Sequence, residues 1–94
     1  MITVVWDPAK AKANFTKHNV DFADAVVALE DENALTISDA GHGEHRFKSL
    51  AKGPHAKVLL IVHSEQNEDT IRIISARRAT SFEERAYFEG GFNG

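Results

Sequence analysis

The sequence predicts an α+β fold, with one domain over residues 1–94, a mainly antiparallel sheet of four to five strands, and helices packed on one face of that sheet. Two helical segments with capping residues come first, and four strand-like segments separated by short turns follow. Strands joined by short turns pair antiparallel. A capping box then begins a final helix, which gives the element order β-α-α-β-β-β-β-α.

The N-terminal third of the chain predicts one short strand and two helices. Residues 2–6 are rich in β-branched side chains, which favours the strand. Asp7 and Pro8 favour a helix start, and this helix runs to about His18. Asp21 caps the second helix. The apolar residues of that helix recur at the spacing that places them on one face, namely Phe22, Ala25, Val26 and Leu29.

Four strand-like segments occupy the middle of the chain. They cover residues 34–38, 44–51 and 57–63, and the last of them starts near residue 69. The third segment is apolar on both faces, which is typical of a central strand. In the fourth, Ile71 and Ile73 take one face and Arg72 takes the other. Thr80 and Glu83 match the capping box at the start of the last helix.

Composition limits the classes of protein to which this chain can belong. It contains 43% hydrophobic and 27% charged residues and no cysteine, so disulfides, thiolate metal sites and cysteine nucleophiles are excluded. No apolar run reaches the roughly 18 residues of a membrane span, and the N-terminus lacks a signal-peptide layout. We therefore expect a cytoplasmic protein. The net charge of -3 argues against non-specific coating of nucleic acid, although basic residues cluster at 10–17, 46–57 and 72–85.

Three arginines lie close together where the last strand meets the last helix, namely Arg72, Arg77 and Arg78. Guanidinium groups donate bidentate hydrogen bonds to phosphate oxygens, so this density favours a site for an anionic group. A strand with solvated arginines explains the pattern about equally well. Because side chains alternate along a strand, the sheet face away from the helices would carry Arg46 and Lys48 beside Arg72.

If the phosphate ligand is RNA, such a face could catalyse its cleavage as well as bind it. Cleavage by the 2′-hydroxyl needs a base, an acid and fixed positive charge around the phosphorus. The candidates for proton transfer are Glu44, His63 and Tyr87, with His18 and Glu84 as further ones. His63 is explained equally well as a packed histidine, and Tyr87 is more often an aromatic residue at the edge of a core.

The sequence predicts no metal and no cofactor. His42 and His45 have a three-residue spacing that occurs in metal sites, but the chain offers no cysteine and no clear carboxylate partner for them. The Gly41-His42-Gly43 turn lacks the strand-to-helix context of a phosphate loop.

Three separated motifs resemble those of BrnT-type toxins and together span residues 4–88. The opening motif comprises Val5-Trp6-Asp7-Pro8-Ala9-Lys10, Asn14, Lys17-His18-Asn19-Val20-Asp21-Phe22 and Ala25. The second is Glu44-His45-Arg46, and the third is Ile71-Arg72-Ile73-Ile74-Ser75-Ala76-Arg77-Arg78-Ala79-Thr80 with Glu84 and Tyr87. The chain departs from the family pattern at Leu50-Ala51, where many members have an aliphatic residue followed by glycine.

The resemblance implies a RelE-like fold and a toxin of a type II toxin–antitoxin system. Such toxins are metal-independent ribonucleases that reduce translation and growth. The resemblance also implies a BrnA-like ribbon-helix-helix antitoxin, of which two copies would bind two toxins and contact operator DNA. The family's functional positions fall on Lys17, Arg46, Arg72, Arg77 and Tyr87.

The sequence thus leads to one main hypothesis and two alternatives. The main hypothesis is an endoribonuclease toxin with catalytic residues Arg46, Arg72, Arg77, Glu44, His63 and Tyr87, and with RNA contacts at Lys17, Lys48 and Arg78. The first alternative is a catalytically inactive homologue that binds the antitoxin as a co-repressor. The second is an unrelated small phosphate-binding domain, against which the three motifs argue.

Overall fold

A computed structural model of the protein describes residues 2–39 and 45–91. In chain order its elements are β1 (Thr3–Val5), α1 (Pro8–His18), α2 (Phe22–Ala28), β2 (Leu35–Ser38), β3 (Arg46–Lys52), a 3₁₀ turn (Pro54–Ala56), β4 (Val58–Asn67), β5 (Thr70–Arg78) and α3 (Ser81–Glu89). The α+β class and the predicted element order are confirmed. β4 extends four residues past the predicted segment 57–63, because its pairing with β5 continues to the turn that joins them.

The strands form one mixed sheet in the order β1-β5-β4-β3-β2. The strands from β2 to β5 make an antiparallel meander, as their short connections predicted, and β1 joins the edge of β5 in parallel. The first half of β4, residues 58–61, is buried on both faces. This confirms that the doubly apolar segment is the central strand of the sheet.

Local capping chemistry begins the helices where the sequence predicts. The Asp7 carboxylate accepts a hydrogen bond from the Ala9 N–H at 2.9 Å, and Asp21 plays the same role in α2. Thr80 and Glu83 form the reciprocal capping box of α3. These starts were predictable because each cap involves residues within three positions of one another.

The helices α1 and α2 cover one face of the sheet. Phe22 of α2 lies in a buried cluster with Ile61 of β4 and Ile73 of β5. Asn14 fastens α1 to β5, because its side-chain amide donates to the Ala76 carbonyl at 2.8 Å and accepts from the Ala76 N–H at 3.1 Å. The buried amide thus satisfies both backbone groups of Ala76.

The helix α3 packs on the opposite face, so the expectation that all helices share one face is wrong for α3. Tyr87 of α3 lies in a second buried cluster with Leu50, Val58 and Leu60. Side chains alternate along a strand, so Leu50 and Leu60 point away from the neighbouring residues that contact α2. α3 takes this position because β4 is apolar on both faces, and both faces are therefore buried by helices.

A β-bulge in β5 decides which arginines share a face. The register between β4 and β5 shifts after Val62, where β5 carries Ile74 as an extra residue. In a regular strand, residues five positions apart point to opposite faces. With the extra residue, Arg72 and Arg77 both lie on the face that α3 partly covers.

Candidate active site

One face of the sheet gathers basic side chains from adjacent strands. Arg46 of β3 pairs with Ser64 of β4, and Ser64 pairs with Arg72 of β5, so the three residues form a row across the sheet. Neighbouring strands lie about 4.8 Å apart, which separates the two arginine backbones by about 10 Å. We call the surface formed by Arg46, Lys48, Arg72 and Arg77 the arginine face.

The part of the arginine face around Arg72 is accessible to a ligand. Arg72 is exposed, whereas Arg46 and Lys48 are half-buried. Within the described part of the chain, Arg72 forms no ion pair. Between the two arginines, the Ser64 hydroxyl accepts a hydrogen bond from Gln66 Nε2 at 2.9 Å. The predicted grouping of Arg46, Lys48 and Arg72 on one face is therefore present, and it presents donors that suit a phosphate group.

Arg77 lies on the same face but is held by α3. Its Nη1 and Nη2 donate to the two carboxylate oxygens of Glu83 at 2.8 and 2.9 Å. Glu83 Oε1 also accepts the Thr80 N–H at 2.9 Å. The hydrogen bonds with Glu83 raise the pKa of Arg77, and the same bonds lower the pKa of Glu83. One carboxylate therefore both caps α3 and fixes Arg77, a partnership that the sequence analysis missed.

Tyr87 is buried between α3 and the sheet, and its hydroxyl points toward the turn that follows α2. The hydroxyl donates to Asp31 Oδ2 at 2.5 Å, and that oxygen also accepts the Lys52 N–H at 2.8 Å. Burial, together with the bond to Asp31, raises the pKa of Tyr87 to about 12. Burial alone would raise the pKa of Asp31, but the hydrogen bonds from Tyr87, Lys52 and Asn33 outweigh it and lower that pKa. Tyr87 therefore ties α3 to the body of the protein.

His63 lies on the face opposite the arginines. Its Nε2 is 2.8 Å from Ser49 Oγ, which is in turn 2.7 Å from Thr36 Oγ1, and its ring stacks on Phe47 with 5.8 Å between centroids. Only 5% of His63 is exposed, and burial lowers its pKa. The His63 ring is enclosed and lies on the opposite face of the sheet, so it cannot contact a phosphate that is bound near Arg72.

The remaining predicted residues divide between the two faces. Lys48 joins the arginine face, as described. Arg78 is paired with Leu59, whose side chain belongs to the core under α2, so Arg78 lies on the opposite face from Arg77. Lys17 is exposed near the end of α1, on that same side of the sheet. Glu44 lies outside the described residues.

The described residues contain neither a metal-binding cluster nor a membrane-spanning helix. No three His, Cys, Asp or Glu side chains within 2–39 and 45–91 gather closely enough to hold a metal ion, and His42 lies outside these ranges. Over the same ranges, none of the helices has the length and apolar character to cross a bilayer.

The comparisons with known proteins agree with the three sequence motifs. A family model described as "Ribonuclease toxin, BrnT, of type II toxin-antitoxin system" matches residues 6–83 of the chain. The chain belongs to the BrnT family. Its members are thus described as ribonuclease toxins, and a type II system pairs such a toxin with an antitoxin. No curated protein sequence matches the chain.

A solved BrnT structure shares the fold of this BrnT chain. The ribonuclease toxin BrnT of Brucella abortus, solved by crystallography at 1.1 Å, aligns with a TM-score of 0.70. The alignment covers 86% of this chain and 100% of that chain at 20% sequence identity. The likeness shows that the two chains share one fold.

Proposed function

We propose that this BrnT chain is a cytoplasmic endoribonuclease that cleaves RNA without a metal ion and thereby inhibits translation and growth. The observation that carries the proposal is the row of Arg46, Ser64 and Arg72 across three strands, with Lys48 beside it. Family membership supports the ribonuclease class. The arginine face fits a phosphodiester through charge and through bidentate geometry.

Arg46 and Arg72 hold the scissile phosphate in this proposal. The 2′-oxygen of the RNA attacks phosphorus and loses its proton, and the bond from phosphorus to the 5′-oxygen breaks while that oxygen gains a proton. Negative charge accumulates on the phosphate oxygens during this step. Arg46 and Arg72 stabilise this charge through hydrogen bonds to the phosphate oxygens, and such donors contribute roughly 10²- to 10³-fold each. Lys48 adds a point charge one row away.

Few of the described candidate residues are placed to transfer a proton to or from the RNA. His63 lies on the other face, and the Tyr87 hydroxyl is bonded to Asp31 with its pKa raised to about 12. We therefore omit both from the catalytic set. Glu44 stays as the proposed base, because it lies two residues before Arg46 in the chain. We assign Arg77 a structural role, since its guanidinium is already occupied by Glu83.

We also infer that a BrnA-like ribbon-helix-helix antitoxin neutralises the toxin. The family's place in type II systems supports an antitoxin partner. In the inferred complex, two toxins and two antitoxins assemble, and the antitoxin binds operator DNA. The mass of the purified complex, measured by light scattering, checks this stoichiometry.

A catalytically inactive co-repressor is the second candidate function. Of the three main candidates for proton transfer, His63 lies on the opposite face of the sheet and the Tyr87 hydroxyl is bonded to Asp31, and this observation favours the co-repressor. Such a protein would bind the antitoxin normally and would leave RNA intact at any concentration.

Cleavage of total RNA in EDTA tests the proposal and separates it from this alternative. We expect the wild-type chain to cleave, and we expect an Arg46→Ala, Arg72→Ala double variant to be inactive. A Lys12→Ala, Arg85→Ala variant removes the same charge from exposed positions on α1 and α3, and it should cleave normally. Equal cleavage by all three proteins would contradict the site. A wild type that neither cleaves nor arrests growth on induction would favour the co-repressor.

A further inference from the structure

A second group of basic side chains lies on the side of the sheet away from the arginine face. It lines a cleft of about 180 Å³ between the end of α1, the turn after β3 and the end of β5. Its ionisable lining residues among those described are His18, Asp24, His55, Lys57 and Arg78. We call this space the basic cleft.

The basic cleft has the polarity of an anion site. Lys57 and Arg78 are both exposed and carry positive charge, and the rings of His18 and His55 supply further N–H donors. Among the described residues that line the cleft, Asp24 is the single carboxylate. The lining thus carries two positive charges against one negative charge, with two imidazole rings beside them, so its excess charge is positive.

The turn that forms one wall of the cleft is held in a strained conformation. His55 and Ala56 have φ angles of 62° and 59°, in the left-handed region that costs a residue with a side chain roughly 1–2 kcal/mol. Gly53 packs this turn against α2, because an added Cβ would lie 3.4 Å from Ala28 Cβ. The Gly53 N–H also donates to the Lys57 carbonyl at 2.9 Å. Such strain persists where the surroundings fix it, and it clusters at ligand sites.

We propose that the basic cleft is a second phosphate contact for the RNA backbone, and this rests on the proposed ribonuclease function. Arg72 and Arg78 pair with Ser64 and Leu59, five positions apart on β4, which places the cleft roughly 17 Å along the strand from the row of Arg46, Ser64 and Arg72. Adjacent Arg77 and Arg78 point to opposite faces of the sheet. A single RNA strand passing the end of β5 therefore reaches both surfaces only when it is several nucleotides long. Contacts to phosphate position the strand without reading its sequence.

Binding of uncleavable RNA tests the cleft independently of catalysis. The probes are fully 2′-O-methylated oligonucleotides of about 4 and about 16 nucleotides, the range of site sizes found for single-strand-binding modules. Fluorescence anisotropy gives their affinities over a series of salt concentrations. The test variant is Lys57→Ala with Arg78→Ala. Lys12→Ala with Arg85→Ala removes the same charge from exposed positions outside both surfaces and serves as the matched control.

We expect the cleft variant to bind the long RNA roughly tenfold more weakly than the control does, whatever the base sequence. The slope of log affinity against log salt should fall by about 0.7, the value for one lost phosphate on a single strand. The short RNA should show little difference between the variants. Thermal unfolding checks that the test variant is folded, and Lys57→Gln or Arg78→Gln replaces it if it is not.

Three results would overturn the proposal. The cleft variant could match the control in affinity and slope for both lengths, which would leave the cleft without a role in RNA binding. An equal loss on the short RNA would contradict a separate second contact. Displacement of long RNA by inorganic phosphate, at concentrations far below those of the salt, would assign the cleft to free phosphate. Because the RNA is uncleavable, each result can be read even if the wild type has no nuclease activity.

Discussion

Arg72 and Arg77 stand on the same strand and the same face of the sheet, yet their surroundings differ. Arg72 is exposed in the open half of the arginine face, beside the Ser64 row. Arg77 lies where α3 begins, and both of its terminal nitrogens bond to Glu83. A guanidinium already paired with a carboxylate offers a phosphate little net charge. A motif of arginines can thus combine a ligand contact, at Arg72, with a structural clamp, the pair of Arg77 and Glu83.

The largest effect should come from removing the open arginine. Arg72→Ala should slow single-turnover RNA cleavage roughly 10²- to 10³-fold, because one preorganised donor to the reacting phosphate is lost. Arg72→Lys should restore only part of the rate, since it keeps the charge but loses bidentate geometry. The free energy of unfolding should stay within about 0.5 kcal/mol of wild type in both. Cleavage by Arg72→Ala within a few-fold of wild type would remove Arg72 from the site.

Breaking the clamp between Arg77 and Glu83 should lower the free energy of unfolding. Glu83→Ala should lower the free energy of unfolding by about 1–2 kcal/mol, because both the capping box and the partly exposed ion pair are lost. Glu83→Gln should cost about half of this, since an amide oxygen can still accept the Thr80 N–H. Urea unfolding measures both, with Glu89→Ala, an exposed glutamate on the same helix, as the control. Unchanged stability in Glu83→Ala would show that the clamp contributes nothing.

The Tyr87 hydroxyl also holds α3 in place, so the effect of removing it can be compared with the effect of breaking the clamp between Arg77 and Glu83. Tyr87→Phe should cost about 1–2 kcal/mol at neutral pH, because the hydrogen bond to Asp31 is lost, while RNA cleavage should not change. The pKa of Asp31 is lowered in the folded protein, so its contribution holds above the ordinary value of 3.8 and fades as pH falls below it. The difference between the variant and the wild type should shrink accordingly in acid. Abolished cleavage with unchanged stability would instead make Tyr87 catalytic.

The smallest effect should come from His63, on the far face. Because burial lowers the pKa of His63, the unfolded chain binds its proton more readily. Wild-type stability should therefore decline as pH falls below the ordinary histidine value of 6.5 toward the lower folded pKa, and this part of the pH dependence should vanish in His63→Gln. Cleavage by the variant should stay within a few-fold of wild type. A loss of cleavage as large as that of Arg72→Ala would return His63 to the catalytic set.

Local rules account for the parts of the fold that the sequence predicted correctly. The caps at Asp7, Asp21 and Thr80 involve near neighbours in the chain, so their chemistry could be recognised without knowing the fold. The apolar run 57–63 identified the central strand for the same reason. The position of α3 could not be deduced in this way, because a doubly apolar strand does not say which helix covers which face.

The candidate site was only partly predictable for a related reason. Alternation correctly grouped Arg46, Lys48 and Arg72, but strict alternation would have excluded Arg77, which joins this face through the bulge at Ile74. The capping box singled out Glu83 at the start of α3, but its position beside Thr80 did not predict the pairing with Arg77. Partners of this kind depend on side-chain direction at a strand–helix junction, which periodicity does not describe.

The division of roles between Arg72 and Arg77 is tested most directly by measuring two quantities on Arg72→Ala and Arg77→Ala side by side. These are the rate of RNA cleavage in EDTA under single-turnover conditions and the free energy of unfolding in urea. We expect opposite patterns. Arg72→Ala should be as stable as wild type and slower by roughly 10²-fold or more. Arg77→Ala should be less stable by about 1 kcal/mol and, while folded, should keep most of its rate. A stable Arg77→Ala that is as slow as Arg72→Ala would contradict this account.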